Sequence, residues 1–261
     1  MAKRKKSSVG WKIVKLLLKG IWLAVFYAVK GIFSLTKGIY TLIRGGIKKQ
    51  KIIRNQIYQK KAQFDPLNVI KTISGSYELL EKRLFEDSVI ALLFGKRGSG
   101  KSALGFKILE NVHSKTKRGC FVLGASEGLM PSWIKSIESI EAVPNESIVL
   151  VDEGAVSFGS RESMNKSNIG LTKLMAIARH KNLSIIFITQ NTGMIDRNVL
   201  KLADILMVKE GSLLQLEMER PEIKKFYEKS NDAFSNLDGE RRQYVYVIDS
   251  DFEGVLSHKL P

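Results

Sequence analysis

The run Gly95-Lys96-Arg97-Gly98-Ser99-Gly100-Lys101-Ser102 has the spacing G-x-x-x-x-G-K-[ST]. Glycines at these places let the backbone curl with successive N–H groups pointing inward, at the oxygens of a bound phosphate chain. A helix that opens at the end of the run adds the positive end of its dipole to the same spot. Lys101 is placed to reach the β- and γ-phosphates, and Ser102 to offer its hydroxyl to Mg²⁺. A second element of the same chemistry lies 51 residues beyond Lys101, where Ile148-Val149-Leu150-Val151 ends in Asp152-Glu153. Two acids at the C-terminal edge of a buried strand can divide the work. Asp152 would hold Mg²⁺ through water, and Glu153 would polarise the attacking water as general base. A third apolar run, Ile185 to Ile188, ends in Thr189-Gln190-Asn191. Gln190 is a candidate sensor of the γ-phosphate, and capping a loop is its plainer role. ATP and Mg²⁺ are the ligands this set implies.

Such residues need a scaffold that delivers them to one edge. Residues 66–261 alternate between short apolar runs and helical patterns, the signature of βαβ units and a parallel sheet. Strands are expected at Ser88–Phe94, Cys120–Gly124, Ser147–Val151, Leu183–Thr189 and Asp204–Val208. They are apolar throughout, as strands covered on both faces are. Helices are expected near 76–86, 101–114, 131–140, 165–181 and 195–202. The tail, Gln243–Ile248 and then Phe252–Leu256, reads as an antiparallel hairpin after the sheet. The fold class is therefore α/β. A single cysteine, Cys120, excludes a disulfide framework within one chain. His113, His180 and His258 share no ligand spacing, which leaves Mg²⁺ as the only metal with support.

These motifs have the form of the Walker A and Walker B elements of P-loop ATPases. With a strand ending in Thr-Gln, they resemble the additional-strand, RecA-like branch of that class. The segment Leu174-Met175-Ala176-Ile177-Ala178-Arg179-His180-Lys181-Asn182-Leu183, running on to Gln190, is similar to the HerA/FtsK superfamily. The likeness is greatest to viral genome-packaging ATPases and to zonula-occludens-toxin-like ATPases of filamentous phages. The Asp196-Arg197 and Ala203-Asp204 steps suit the same group. The resemblance covers roughly residues 88–210. It implies a P-loop sheet in which the Gln190 strand lies between the Walker A and Walker B strands. It also implies a homo-oligomeric ring, usually a hexamer, that moves DNA, and an arginine finger reaching a neighbouring subunit. Arg197 is the favoured candidate for the finger, with Arg179 and Arg161 as alternatives. Arg161 lies in the polar loop Ser157–Asn168 and could equally contact DNA backbone.

Charge divides the chain. Residues 1–68 carry 16 Lys/Arg against one acid, Asp65, whereas residues 69–261 carry 26 against 25. The excess belongs to an arm, residues 1–64, ahead of an ATPase domain at 65–261. Within the arm, Lys19-Gly20-Ile21, Lys30-Gly31-Ile32, Lys37-Gly38-Ile39 and Arg44-Gly45-Gly46-Ile47 recur at spacings of 11, 7 and 7. On a helix Lys12, Lys15, Lys19, Lys30, Lys37 and Arg44 then fall within roughly a 60° arc, beside a glycine stripe. Nearly everything else is Leu, Ile, Val, Phe, Trp or Tyr. Residues 9–47 are thus expected to meet a membrane surface, a membrane interior within an oligomer, or a membrane protein. A simple span is disfavoured, because the longest uncharged run, Gly20–Val29, is half the length needed. An acidic partner, DNA or anionic lipid, should meet the arm. Two functions follow: a membrane-associated DNA translocase for packaging or transfer, or an ATPase driving virion extrusion or protein secretion.

Overall fold

The structure is a computed structural model that describes residues 53–123, 130–152, 173–195 and 197–259, together with Lys19, Gly20, Trp22, Leu23, Lys30, Ile43, Gln50 and Lys51. Two compact units divide the chain, Met1–Gln56 and Ile57–Pro261. In the first unit every described position is helical, and Trp22, Leu23, Ile43 and Ile53 are exposed. Among the described residues no helix is long and apolar enough to cross a membrane. Of the expected lysine stripe, Lys12, Lys15, Lys37 and Arg44 lie outside the described residues.

In the second unit nine described strands form one sheet, in the order β1-β9-β8-β7-β2-β6-β5-β3-β4. They are β1 (Asn68–Gly75), β2 (Ile90–Phe94), β3 (Cys120–Leu123), β4 (Ile134–Ile137), β5 (Ile148–Asp152), β6 (Ser184–Thr189), β7 (Ile205–Val208), β8 (Tyr244–Ile248) and β9 (Phe252–Ser257). The six strands from β7 to β4 pair in parallel, and β8, β9 and β1 extend the sheet antiparallel. The helices are α1 (Tyr77–Glu86), α2 (Lys101–Thr116), α3 (173–180), α4 (Arg197–Leu202), α5 (Leu213–Met218) and α6 (Pro221–Ser235).

The period of two along each strand distributes the core. On β2, Ala91 and Leu93 join Leu80 and Leu84 of α1 and Leu104, Ile108 and Val112 of α2 in one cluster. Ile90, Leu92 and Phe94 face the other way, with Met175 of α3, Val199 of α4 and Ile223, Tyr227 and Phe234 of α6. Both faces are covered, which is why the central strands carry no polar alternation. Each such side chain taken fully from water contributes about 1.5–3 kcal/mol.

Five elements differ from the sequence reading, two of them helices it did not include, α5 and α6. Residues 131–140 are not a helix. Ile134, Ile137 and Ile140 recur at three-residue steps, a helical signature, yet Ile134–Ile137 pairs in parallel with Cys120–Leu123 and a short 3₁₀ turn follows at Ile140–Ala142. The wrong period wins in a four-residue edge strand because only Ile134 is buried there. β1 is an unforeseen strand at the opposite edge, exposed along its length and paired only with β9. The terminal hairpin does not follow the sheet but belongs to it, β8 pairing with β7 and β9 with β1. Arg83 of α1 clamps its turn, donating to both oxygens of the buried Asp249 carboxylate at 2.8 Å. Residues 58–64 pack in this unit as well: Ser132 N donates to Tyr58 O and Trp133 Nε1 to Lys60 O.

A Cβ at Gly254 of β9 would lie 2.4 Å from the Lys71 carbonyl and 2.5 Å from Phe252 Cζ. Gly254→Ala is therefore expected to part β1 from β9 and cost about 1–3 kcal/mol, as overpacking does. Urea unfolding checks this; an unchanged midpoint would show that the strand can shift without cost.

Candidate functional site

β2 ends at Phe94 in the centre of the sheet, and the next eight residues fold as the glycine-rich loop into α2. Gly98 and Gly100 have φ of +75° and +85°, in the left-handed region. Gly100, the N-cap of α2, has a second constraint: a Cβ there would lie 2.7 Å from the Arg242 carbonyl. At Gly95 a Cβ would meet Lys209 Cβ at 2.6 Å. The Lys101 ammonium lies inside the loop, donating to Gly95 O at 2.9 Å and Lys96 O at 2.8 Å. The loop is thus curled around the lysine. Ser99 is buried, and its hydroxyl has no hydrogen-bond partner among the described residues, a donor without an acceptor beside the cradle.

The strand order brings the other predicted residues to the same edge. β6 lies between β2 and β5, as expected, so the ends of the three strands are adjacent. A cleft of about 710 Å³ is lined by Arg97 to Ala103, Asp152, Ile188, Gln190, Glu240 and Arg242. Ser102 and Asp152 both stand exposed in it. A hydroxyl and a carboxylate are oxygen donors that fit a hard cation such as Mg²⁺. Gly95 and Lys96 contribute carbonyls to the loop, and Lys96 Nζ pairs with Glu210 at 2.5 Å. Glu153 lies outside the described residues, as do Arg161 and Asp196.

The arginine candidates stand elsewhere. Arg197, at the start of α4, does not line the cleft; it is 78% exposed and its Nε donates to Glu222 of α6 at 2.7 Å. Arg179 donates to Leu202 O at 3.0 Å. The loop after Gln190 is pinned from the α5–α6 junction. Arg220 donates to Thr192 O and Ile195 O, and the Thr192 hydroxyl bonds Glu219.

Sequence reasoning missed a buried group behind the loop. Lys209 follows β7, is fully buried, and donates to Arg242 O at 2.8 Å and to His258 Nε2 at 3.0 Å. Burial first, and the Lys101 ammonium second, push its pKa down to about 7. His258 bonds Lys259 O through Nδ1 at 3.1 Å, which leaves Nε2 as the acceptor for Lys209. Burial, then the Lys209 ammonium, hold His258 at about 4. No motif marks these two residues; a lysine directly after an apolar strand was the available signal.

Neither a protein-family model nor a curated protein matches the chain. Among solved structures it is similar to the genome packaging NTPase B204 of Sulfolobus turreted icosahedral virus 2 in complex with ATP-gammaS, at 16% identity over 66% of this chain and 97% of that one, TM-score 0.45. It is also similar to the pCW3 conjugation coupling protein TcpA, at 11% identity over 77% and 67%, TM-score 0.44. A third is EssC of Geobacillus thermodenitrificans, at 12% identity over 78% and 47%, TM-score 0.42. Likenesses of this size add nothing to what the strand order and the loop geometry already show.

His258 also yields a stability expectation. Its folded pKa of about 4 lies below its ordinary 6.5, so the unfolded chain takes up the proton first as pH falls. The stability this neutral imidazole carries is full above pH 6.5 and is lost toward pH 4. His258→Gln keeps an acceptor for Lys209 without a basic nitrogen. It should flatten the acid limb of melting temperature against pH; an unchanged limb would assign that limb to other groups.

Proposed function

We propose that this chain is a P-loop ATPase that couples ATP hydrolysis to DNA translocation, as a membrane-associated ring. One observation carries the ATPase reading: β6 inserted between β2 and β5 puts the glycine loop, Asp152 and Gln190 around one cleft. The triphosphate is cradled by the backbone from Gly95 to Ser102. Lys101 exchanges the carbonyls of Gly95 and Lys96 for phosphate oxygens, a swap in which its charge meets an anion instead of two dipoles. Ser102 and Asp152 would hold Mg²⁺, which would supply charge neutralisation on the phosphates. Glu153, next in the chain to Asp152, accepts the proton of the attacking water. Gln190, at the γ side of the cleft, orients that water. Arg197 is the residue proposed to reach a neighbouring subunit. It would exchange its exposed pairing with Glu222 for the neighbour's phosphate, and an exposed pair is cheap to give up.

DNA is the favoured cargo because the Leu174–Gln190 segment is similar to DNA motors, and because the arm concentrates the positive charge of the chain. Membrane association rests on the exposed Trp22, Leu23 and Ile43 on helical positions interleaved with lysines. The same feature favours the second reading, an ATPase of virion extrusion or protein secretion.

Steady-state hydrolysis with double-stranded DNA, single-stranded DNA, anionic liposomes or no addition separates these. Stimulation by DNA, lost at high salt, is expected. Lys101→Ala should lower turnover by about 10²–10³, the size of losing one preorganised charge donor. Stimulation by liposomes alone would select the secretion reading. Turnover indifferent to the Lys101 change would sink the ATPase assignment itself.

A further inference from the structure

A cleft that holds a phosphate chain at its floor must also hold what the chain is attached to, and the strand order fixes the side. On one side of β2 lie β6 and then β5; on the other lie β7 and then β8. Asp152 at the end of β5 and Gln190 after β6 mark the γ-phosphate end. The opposite wall is formed by Glu240 and Arg242, from the turn that enters β8. We infer that Arg242 is the nucleoside-binding residue of this cleft, its guanidinium stacking on the base of the bound nucleotide, and that Glu240 is a positioning residue that sets the guanidinium plane. This rests on the nucleotide reading above.

The turn is built to hold a side chain still. Gln243 N bonds Glu240 O at 2.9 Å, and His258 N bonds Gln243 O at 3.0 Å. The buried Lys209 ammonium fixes the Arg242 carbonyl at 2.8 Å. Arg241 Nη1 donates to Glu210 at 2.8 Å, and Glu210 pairs with Lys96 of the loop itself. These bonds tie the turn to the loop, and the Arg242 side chain leaves it beside Gly100. Its Cβ lies 3.6 Å from where a Gly100 Cβ would be.

Above that base, Arg242 Nη2 donates to Glu240 Oε1 at 2.8 Å while both side chains stay more than half exposed. Such a pair adds little to stability in water. What it supplies is orientation: one edge of the guanidinium is held while more than half of the side chain stays exposed. A planar, weakly hydrated cation presenting a face is suited to an aromatic ring. Lysine has the charge but not the plane.

Inorganic tripolyphosphate separates the two ends of the cleft, since it has phosphates and no nucleoside. Its affinity and that of ATP, each with Mg²⁺, would be measured by calorimetry on the full chain and on Arg242→Ala, Arg242→Lys and Lys101→Ala. Arg242→Ala and Arg242→Lys should both weaken ATP roughly 3- to 30-fold while leaving tripolyphosphate within about twofold. Retained tripolyphosphate binding also reports an intact loop. Equal weakening of both ligands would overturn the inference, since Arg242 would then act only through the turn's shape. Unchanged ATP affinity would overturn it too, and so would a Lys variant that binds like the wild type. A wild-type chain that binds neither ligand, or a Lys101→Ala chain that binds both normally, would overturn the nucleotide reading and this one with it.

Discussion

The glycine-rich loop leaves β2 where two of its glycines have no room for a side chain. At Gly95 a Cβ would press on Lys209, and at Gly100 on the carbonyl of Arg242. Lys209 directly follows β7 and Arg242 lies in the turn that enters β8, both on the side of β2 away from Asp152. Glycine at these places is therefore set by two constraints. Gly100 needs a positive φ that glycine tolerates without strain, and both glycines need the missing Cβ. The order of the sheet follows from the same packing. Strands buried on both faces set the loop at the sheet's centre, and only neighbours that close could bring Asp152 and Gln190 on one side and Arg242 on the other.

Lys209 shows what that compactness costs. A lysine with no exposure, near a second lysine, is electrostatically unfavourable, and burial lowers its pKa to about 7. It is retained with two acceptors, the Arg242 carbonyl and the neutral His258. Removing either would leave a buried donor unmatched, which is more expensive than the bond is favourable. The group therefore acts as a pin between the last hairpin and the loop.

The centre of the fold was legible and its edges were not. β2, β3, β5, β6 and β7 are short, apolar and covered on both faces, so composition alone marks them. β1 and β4 sit at the two edges, where burial does not impose a period; β1 reads Asn68-Val69-Ile70-Lys71, with a lysine of the kind edge strands carry. α6 announced itself through Pro221 at its first turn and Ile223, Tyr227, Ser230 and Phe234 on one face, a pattern the motif-centred reading passed over. For the candidate site, the glycine loop and Asp152 stand out in the sequence because phosphate binding would call on contiguous residues. Gln190 was readable only through the strand that carries it. Lys209, Glu240, Arg242 and His258 come from distant segments and converge only through the β7–β8–β9 pairing, which no local spacing records.

The pairing of β1 with β9 has a mechanical meaning. Asn68 at the start of one strand stands opposite Ser257 at the end of the other. Force applied across these two positions would open the ladder one hydrogen bond at a time, from its free end, and would not load all its bonds together in shear. The edge of the sheet would peel at low tension, down to the clamp of Arg83 on Asp249 at the hairpin turn. β2 is the fifth strand from that edge, so the β2–β6–β5 centre would not feel the load until that clamp let go. The outer two strands would therefore yield before the cleft is disturbed.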